Sequence, residues 1–240
     1  MAVDIGRKDG EGNRMSNSTS LGDRVRRRAR RALGDPAVSL EQIDFNSGLG
    51  DSASLLYGLA RSIKPQVAVE IGSARGRSAC FIGQALKENG SGKLYAIDPH
   101  TVTSWNDTNS VNTYETMCAN VEAMGLTEQV EIVRKMSGEA AAGWTLPIDM
   151  LFIDGDHSYD GVRRDWDLFS PFVTQFGVVV FHDTTWELHP GSEYSRDDMG
   201  VPRFVEDLRA GGYPVITIDR DFGVSLVQPF RHGVPLAPTP

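Results

Sequence analysis

The sequence predicts an open α/β fold, a mostly parallel sheet with helices on both faces. Three observations carry this. From about residue 51 onward, short apolar runs alternate with longer stretches of helical spacing, and that alternation builds parallel sheets covered on both sides. The first apolar run leads directly into a glycine-containing turn and a helix. The last two runs are separated only by residues 219–223, which is hairpin spacing.

The elements follow in order. Residues 51–63 read as a helix with Leu55, Leu56, Leu59 and Ile63 on one face, and Pro65 follows it. Residues 67–71 form a short buried strand that runs into Gly72-Ser73-Ala74-Arg75-Gly76, and a helix continues to about Lys87. Residues 93–98 are the second strand. Val111, Tyr114, Met117, Val121 and Met124 recur at helical spacing, and Gly125 stops that helix. Residues 130–134 and 150–154 are the third and fourth strands. Ser158 can cap a helix whose core face is Val162, Trp166 and Phe169. Residues 177–181 are the fifth strand. Pro202 opens a helix carrying Phe204, Val205 and Leu208, ended by Gly211-Gly212. Residues 213–218 and 224–228 complete seven strands as an antiparallel hairpin.

The chain has 240 residues, which suits one such domain with small flanking segments. Residues 1–20 are polar and read as a disordered tail, residues 21–50 as a basic segment, 51–230 as the folded domain and 231–240 as a C-terminal tail. Residues 1–35 carry nine basic and five acidic side chains, so the formal charge of −8 conceals a strongly acidic body. Such a body is a poor platform for nucleic-acid phosphates. The arginine run from Arg24 to Arg31 reads either as a contact for an anionic partner or as a solvated segment. Cys80 and Cys118 are too few for a disulfide framework and read as reduced core residues. No apolar run is long enough to span a bilayer, and no signal-peptide core precedes the domain. The expected location is the cytoplasm, without a membrane partner.

Parallel sheets bind ligands at the carboxyl ends of their strands. The residues there are Glu70 to Gly76, Asp98, Ser137-Gly138, Asp154 to His157, and His182-Asp183. The loop at 72–76 lacks the third glycine of a dinucleotide site and the Gly-Lys-Ser/Thr of a P-loop. Asp98 can accept hydrogen bonds from both ribose hydroxyls of an adenosine group. Acidic groups gathered after the fourth and fifth strands are costly unless a cation neutralises them, and carboxylate oxygens suit a hard divalent ion.

Val67 to Gly76, followed by Asp98 one strand later and by the terminal hairpin, resembles the class I S-adenosylmethionine methyltransferases over about residues 50–230. The resemblance implies a Rossmann-like methyltransferase fold and S-adenosylmethionine as cofactor. It also implies a cofactor site made by Glu70, Gly72, Ser73, Gly76, Ser78, Asp98, Ser137, Gly138 and Asp154, with Ser137 and Gly138 beside the adenine. Asp154-Gly155-Asp156-His157 and the later His182-Asp183 are similar to the metal-dependent O-methyltransferase branch, including bacterial sugar O-methyltransferases. That likeness implies Mg²⁺ or Mn²⁺ held by Asp154, His182 and Asp183, and His157 as general base where catechol-type enzymes carry lysine. A carboxylate or amide is usual at the position of His182. Imidazole suits Mn²⁺, Fe²⁺ or Zn²⁺ better than Mg²⁺, so His182 is either a ligand or a contact to the ligands or acceptor. Asp156 reads equally as a loop brace.

The expected activity is O-methylation of a sugar or glycoside hydroxyl. A catechol or other phenolic acceptor is the alternative. A nucleotide-cofactor oxidoreductase and a non-catalytic binding protein are the readings from other classes. The partners expected are a small-molecule or saccharide acceptor and, as an open question, a second copy in a homo-oligomer. The polar loop 184–200, with Trp186, His189, Tyr194 and Met199, and Trp105 nearby, is the expected wall of the acceptor site.

Overall fold

The computed structural model describes residues 39–43, 45, 47–101, 112–188 and 196–229. The chain divides into two units, Met1–Ala37 and Val38–Pro240, and the described residues all belong to the second. The expected N-terminal tail, most of the basic segment, the C-terminal tail, Trp105, His189 and Tyr194 lie outside the described residues.

Seven strands form one sheet: β1 Val67–Ile71, β2 Lys93–Ile97, β3 Val130–Val133, β4 Ile148–Ile153, β5 Val173–His182, β6 Val215–Ile218 and β7 Val224–Val227. Their order is β3-β2-β1-β4-β5-β7-β6. β7 runs antiparallel to both β5 and β6, and the remaining pairs are parallel. This is the sheet the alternation predicts, hairpin included.

The helices are α1 Ser52–Ile63, α2 Arg77–Asn89, α3 Thr113–Ala123, α4 Ser137–Ala141, α5 Tyr159–Phe169 and α6 Val201–Ala210. Successive strand residues point to opposite faces, and β4 shows the result. Met150 and Phe152 join the core under α1, α2 and α3, with Leu56, Ile82 and Met117. Leu151 and Ile153 join the other core, with Trp166 and Phe169 of α5 and Val205 and Leu208 of α6. Phe152 and Phe181 are fully buried, and each such side chain stabilises the fold by roughly 1.5–3 kcal/mol. Ser158 caps α5 as expected, its hydroxyl accepting from the Gly161 N–H at 3.1 Å.

Two elements depart from expectation. β5 starts at Val173 rather than Gly177. Its pairing to β4 slips between Ile148 and Met150, so the bulged start shows no clean alternation and leaves Phe176 87% exposed. The short helix α4 has no predicted counterpart, because five residues are too few to display a helical period. Cys80 and Cys118 are free thiols, and burial pushes Cys80 up to about 12, which makes it inert. Among the described residues no helix is long and apolar enough to cross a membrane.

Candidate active site

Strand order reverses between β1 and β4, and such a switch point opens a crevice at the carboxyl ends of the strands. The loops after β1 and β4 meet there. Gly72 adopts φ +88°, and a Cβ on it would lie 2.1 Å from the Asp154 carbonyl oxygen. Glycine is therefore needed for the two loops to touch. Gly76 adopts φ +82°, and its missing Cβ leaves room for Met117.

Asp98, just past β2, organises the glycine loop. Its Oδ2 accepts from the backbone N–H groups of Ser73 and Ala74, each at 2.9 Å, and its Oδ1 accepts from the His100 N–H at 2.6 Å. A carboxylate offers about four lone-pair sites, so capacity remains for a ribose hydroxyl. Glu70 is fully buried on β1. Its Oε2 accepts from the Ser73 hydroxyl at 2.8 Å, while Oε1 has no partner among the described residues. Burial pushes Glu70 up to about 8, against the opposing hydrogen bonds of Ser78 and Ser73. Ser78 is buried at the start of α2. Oε1 is thus a buried acceptor with unused capacity beneath the glycine loop.

Ser137 opens α4 and donates its hydroxyl to Asp165 Oδ1 at 2.6 Å. Asp165 is 2% exposed on α5, and burial pushes it up to about 6. No Cβ contact restricts Gly138, so its glycine is not dictated by packing. Asp165 is not among the expected site residues, although its spacing from Val162 and Phe169 puts it on the apolar face of the helix.

The densest chemistry lies between the ends of β4 and β5. Asp154 Oδ1 sits 3.3 Å from His157 Nε2 and 3.2 Å from His182 Nδ1. Asp183 places Oδ2 at 3.2 Å from His157 Nε2 and Oδ1 at 3.3 Å from His182 Nδ1. Two carboxylates therefore face two imidazoles. Asp154, His182 and Asp183 each offer a ligand atom, all within 4.8 Å of one another. Two carboxylate oxygens and one imidazole nitrogen suit Mn²⁺, Fe²⁺ or Zn²⁺ as well as Mg²⁺. The backbone of Asp183 is held at φ +60°, a conformation that is uncommon outside glycine and clusters at functional sites.

The electrostatics follow. Burial alone would raise Asp154, but the charge of His182 and the hydrogen bonds from His157 and His182 hold it well below the usual carboxylate range. Burial alone would lower both histidines. The Asp183 charge, helped by Asp154, outweighs burial, raising His157 and taking His182 well above the ordinary imidazole value.

Asp156 does not join this cluster. Its Oδ1 accepts from the Ser158 N–H and hydroxyl at 3.0 and 2.7 Å, and its Oδ2 lies 3.3 Å from Arg164, so it braces the loop. The Gly200 N–H donates to the His157 carbonyl at 2.8 Å, fixing the end of the 184–200 loop beside the site. Trp186 stacks on Phe222 with ring centroids 4.5 Å apart.

Residues 69–184 match the family described as a methyltransferase domain. A curated relative, an uncharacterized protein of Acanthamoeba polyphaga mimivirus, is 31% identical over 151 residues, covering 60% of this chain. The match spans 62% of that relative's length. Among solved structures, the O-methyltransferase TomG from Streptomyces achromogenes, involved in tomaymycin synthesis and solved with S-adenosylmethionine, has a TM-score of 0.57 at 21% identity, covering 88% of this chain and 90% of its own. An O-methyltransferase from Bacillus cereus, solved with the demethylated cofactor product, has a TM-score of 0.56 at 16% identity, covering 88% and 93%. The fold is thus the Rossmann-like methyltransferase fold. Residues 69–184 are thus similar to a methyltransferase domain, set on that fold with an acid after β2 and a glycine turn after β1.

Proposed function

We propose that this chain is an S-adenosylmethionine-dependent O-methyltransferase of a sugar or glycoside hydroxyl, acting in the cytoplasm. One observation carries the reading: Asp154, His182 and Asp183 converge within 4.8 Å beside the glycine loop, with His157 against both carboxylates. Glu70, Ser73 and Asp98 would take the amino-acid and ribose parts of the cofactor, and Ser137 would lie beside the adenine. Asp154, His182 and Asp183 would hold Mg²⁺ or Mn²⁺. When bound, the ion would lower the pKa of an acceptor hydroxyl and orient it.

The chain's own residues supply the rest. His157 stands where it can take the hydroxyl proton as general base. Two carboxylates orient the ring, and the Gly200 N–H pins its backbone. An imidazole in place of lysine at 157 supports a saccharide acceptor over a catechol. The test is methyl transfer from S-adenosylmethionine to a panel of glycosides and catechols, with excess EDTA and then with added Mn²⁺ or Mg²⁺. Turnover of a glycoside that EDTA abolishes and the metal restores is the expected result. Full activity in excess EDTA removes the cation, and turnover confined to catechols removes the saccharide acceptor.

A further inference from the structure

The turn joining β6 to β7 makes two attachments through one residue. Asp221 adopts φ +49°. Its Oδ2 accepts from the Ser52 backbone N–H at 2.8 Å and from the Ser52 hydroxyl at 3.1 Å, and that hydroxyl also lies 3.3 Å from the Arg220 carbonyl oxygen. The carboxylate thus grips the first residue of α1, sharing its N–H with the Leu49 carbonyl at 3.1 Å, at a helix end where negative charge is favoured. Gly50 permits the approach, since a Cβ there would lie 2.6 Å from the Asp221 carboxyl carbon. The Gly50 carbonyl in turn accepts from Arg77 Nε and Nη2 at 3.0 and 2.7 Å. The anchor is therefore tied to the helix that follows the glycine loop.

The second attachment is to the site. The Asp221 backbone carbonyl accepts from His182 Nε2 at 2.8 Å. A carbonyl can only accept, so Nε2 must carry the hydrogen. The ring is then fixed with Nδ1 toward Asp154 at 3.2 Å and Asp183 at 3.3 Å. We propose that Asp221 is a positioning residue for His182. Its carboxylate locks the turn onto Ser52, and the carbonyl so placed holds the imidazole with Nδ1 presented to the two aspartates. The inference deepens the reading of Asp154, His182 and Asp183 as one site and rests on it. Partners that orient a ligating imidazole typically change metal affinity or activity about 10- to 100-fold when removed.

The experiment uses the full chain with ¹⁵N-labelled histidine, in which His182 is assigned by loss of its signal in His182→Gln. Solvent exchange of the Nε2–H, Mn²⁺ affinity and S-adenosylmethionine affinity are measured for wild type, Asp221→Ala, Asp221→Asn and Ser52→Ala. The expected wild-type Nε2–H is protected. Asp221→Ala exchanges about tenfold faster and binds Mn²⁺ about 10- to 100-fold more weakly, with cofactor affinity within about twofold. Asn keeps an acceptor oxygen and tolerates the left-handed backbone, so Asp221→Asn stays near wild type. Ser52→Ala moves exchange in the same direction by less. Wild-type protection in both Asp221→Ala and Ser52→Ala overturns the proposal. If Asp221→Ala does not fold, unchanged exchange in Ser52→Ala alone overturns it. A wild type that binds no Mn²⁺ overturns the cation reading, while the exchange measurement still decides the role of Asp221.

Discussion

His157 Nε2 lies 3.2 Å from Asp183 Oδ2, so a ring carried by the loop after β4 meets a carboxylate at the end of β5. The same nitrogen is 3.3 Å from Asp154. Neither aspartate is near the other in sequence, and the parallel pairing of β4 with β5 brings them together.

A first prediction follows for His157. If it takes the acceptor proton, His157→Ala should lower kcat by about 10²- to 10⁴-fold. The cofactor contacts assigned to Glu70, Ser73 and Asp98 do not involve this ring, so S-adenosylmethionine affinity should stay near wild type. Titration calorimetry and steady-state kinetics on one preparation separate the two effects. A variant that keeps most of the wild-type kcat makes His157 structural.

Gly72→Ala should destabilise the protein by about 2–4 kcal/mol, combining an unfavourable positive φ with overpacking. The new methyl would collide with the Asp154 carbonyl. One of the two loops must then retreat, and Asp154 moves with it. Urea denaturation gives the stability change. A loss below about 0.5 kcal/mol, within the range of ordinary surface changes, would mean that the loops do not touch as described.

The fold was largely legible in the sequence because its signals are local. β1, β2 and β4 are short apolar runs followed by glycine or aspartate, Ser158 caps α5, and residues 219–223 leave room only for a turn. Most of the proposed site was legible for a related reason, since its residues directly follow strands whose ends the topology gathers. What escaped was long-range or masked by its neighbours. Asp165 is flanked by Arg163, Arg164 and Asp167, which mask its place on the apolar face, where the helix turns it inward toward Ser137. Asp221 meets Ser52 across most of the chain, and no spacing rule spans that distance. The start of β5 was hidden by its bulge.

Asp98→Ala carries a double expectation. From sequence alone the substitution should weaken cofactor binding and leave the fold intact. The structure adds a cost, because the backbone N–H groups of Ser73, Ala74 and His100 all donate to this carboxylate. Losing a charged acceptor costs about 1.5–3 kcal/mol, so cofactor affinity should fall by roughly 10- to 100-fold and thermal stability should fall as well. Calorimetry and thermal denaturation without ligand report the two losses separately. Unchanged cofactor affinity would remove Asp98 from the site, and unchanged stability would mean that water replaces it for the three amides.

The last prediction concerns Glu70 and pH. Its folded value is raised by burial to about 8, against an ordinary 4.5. Below about pH 4.5 the folded and unfolded states both hold the proton, and Glu70 contributes no pH dependence. Between about 4.5 and 8 the unfolded chain has lost the proton while the folded chain keeps it. Stability then falls as pH rises, by about 1.4 kcal/mol per pH unit for one proton. Above about 8 both states are ionised and the slope disappears. Other groups titrate in the same range, so the informative quantity is the difference between wild type and Glu70→Gln, which keeps the shape and removes the ionisation. Urea denaturation of the ligand-free protein from pH 5 to 8 should show Glu70→Gln gaining on wild type at about that slope. A difference that stays flat across this window would mean that Glu70 is ionised in the folded protein and that its unpartnered Oε1 is reached by solvent.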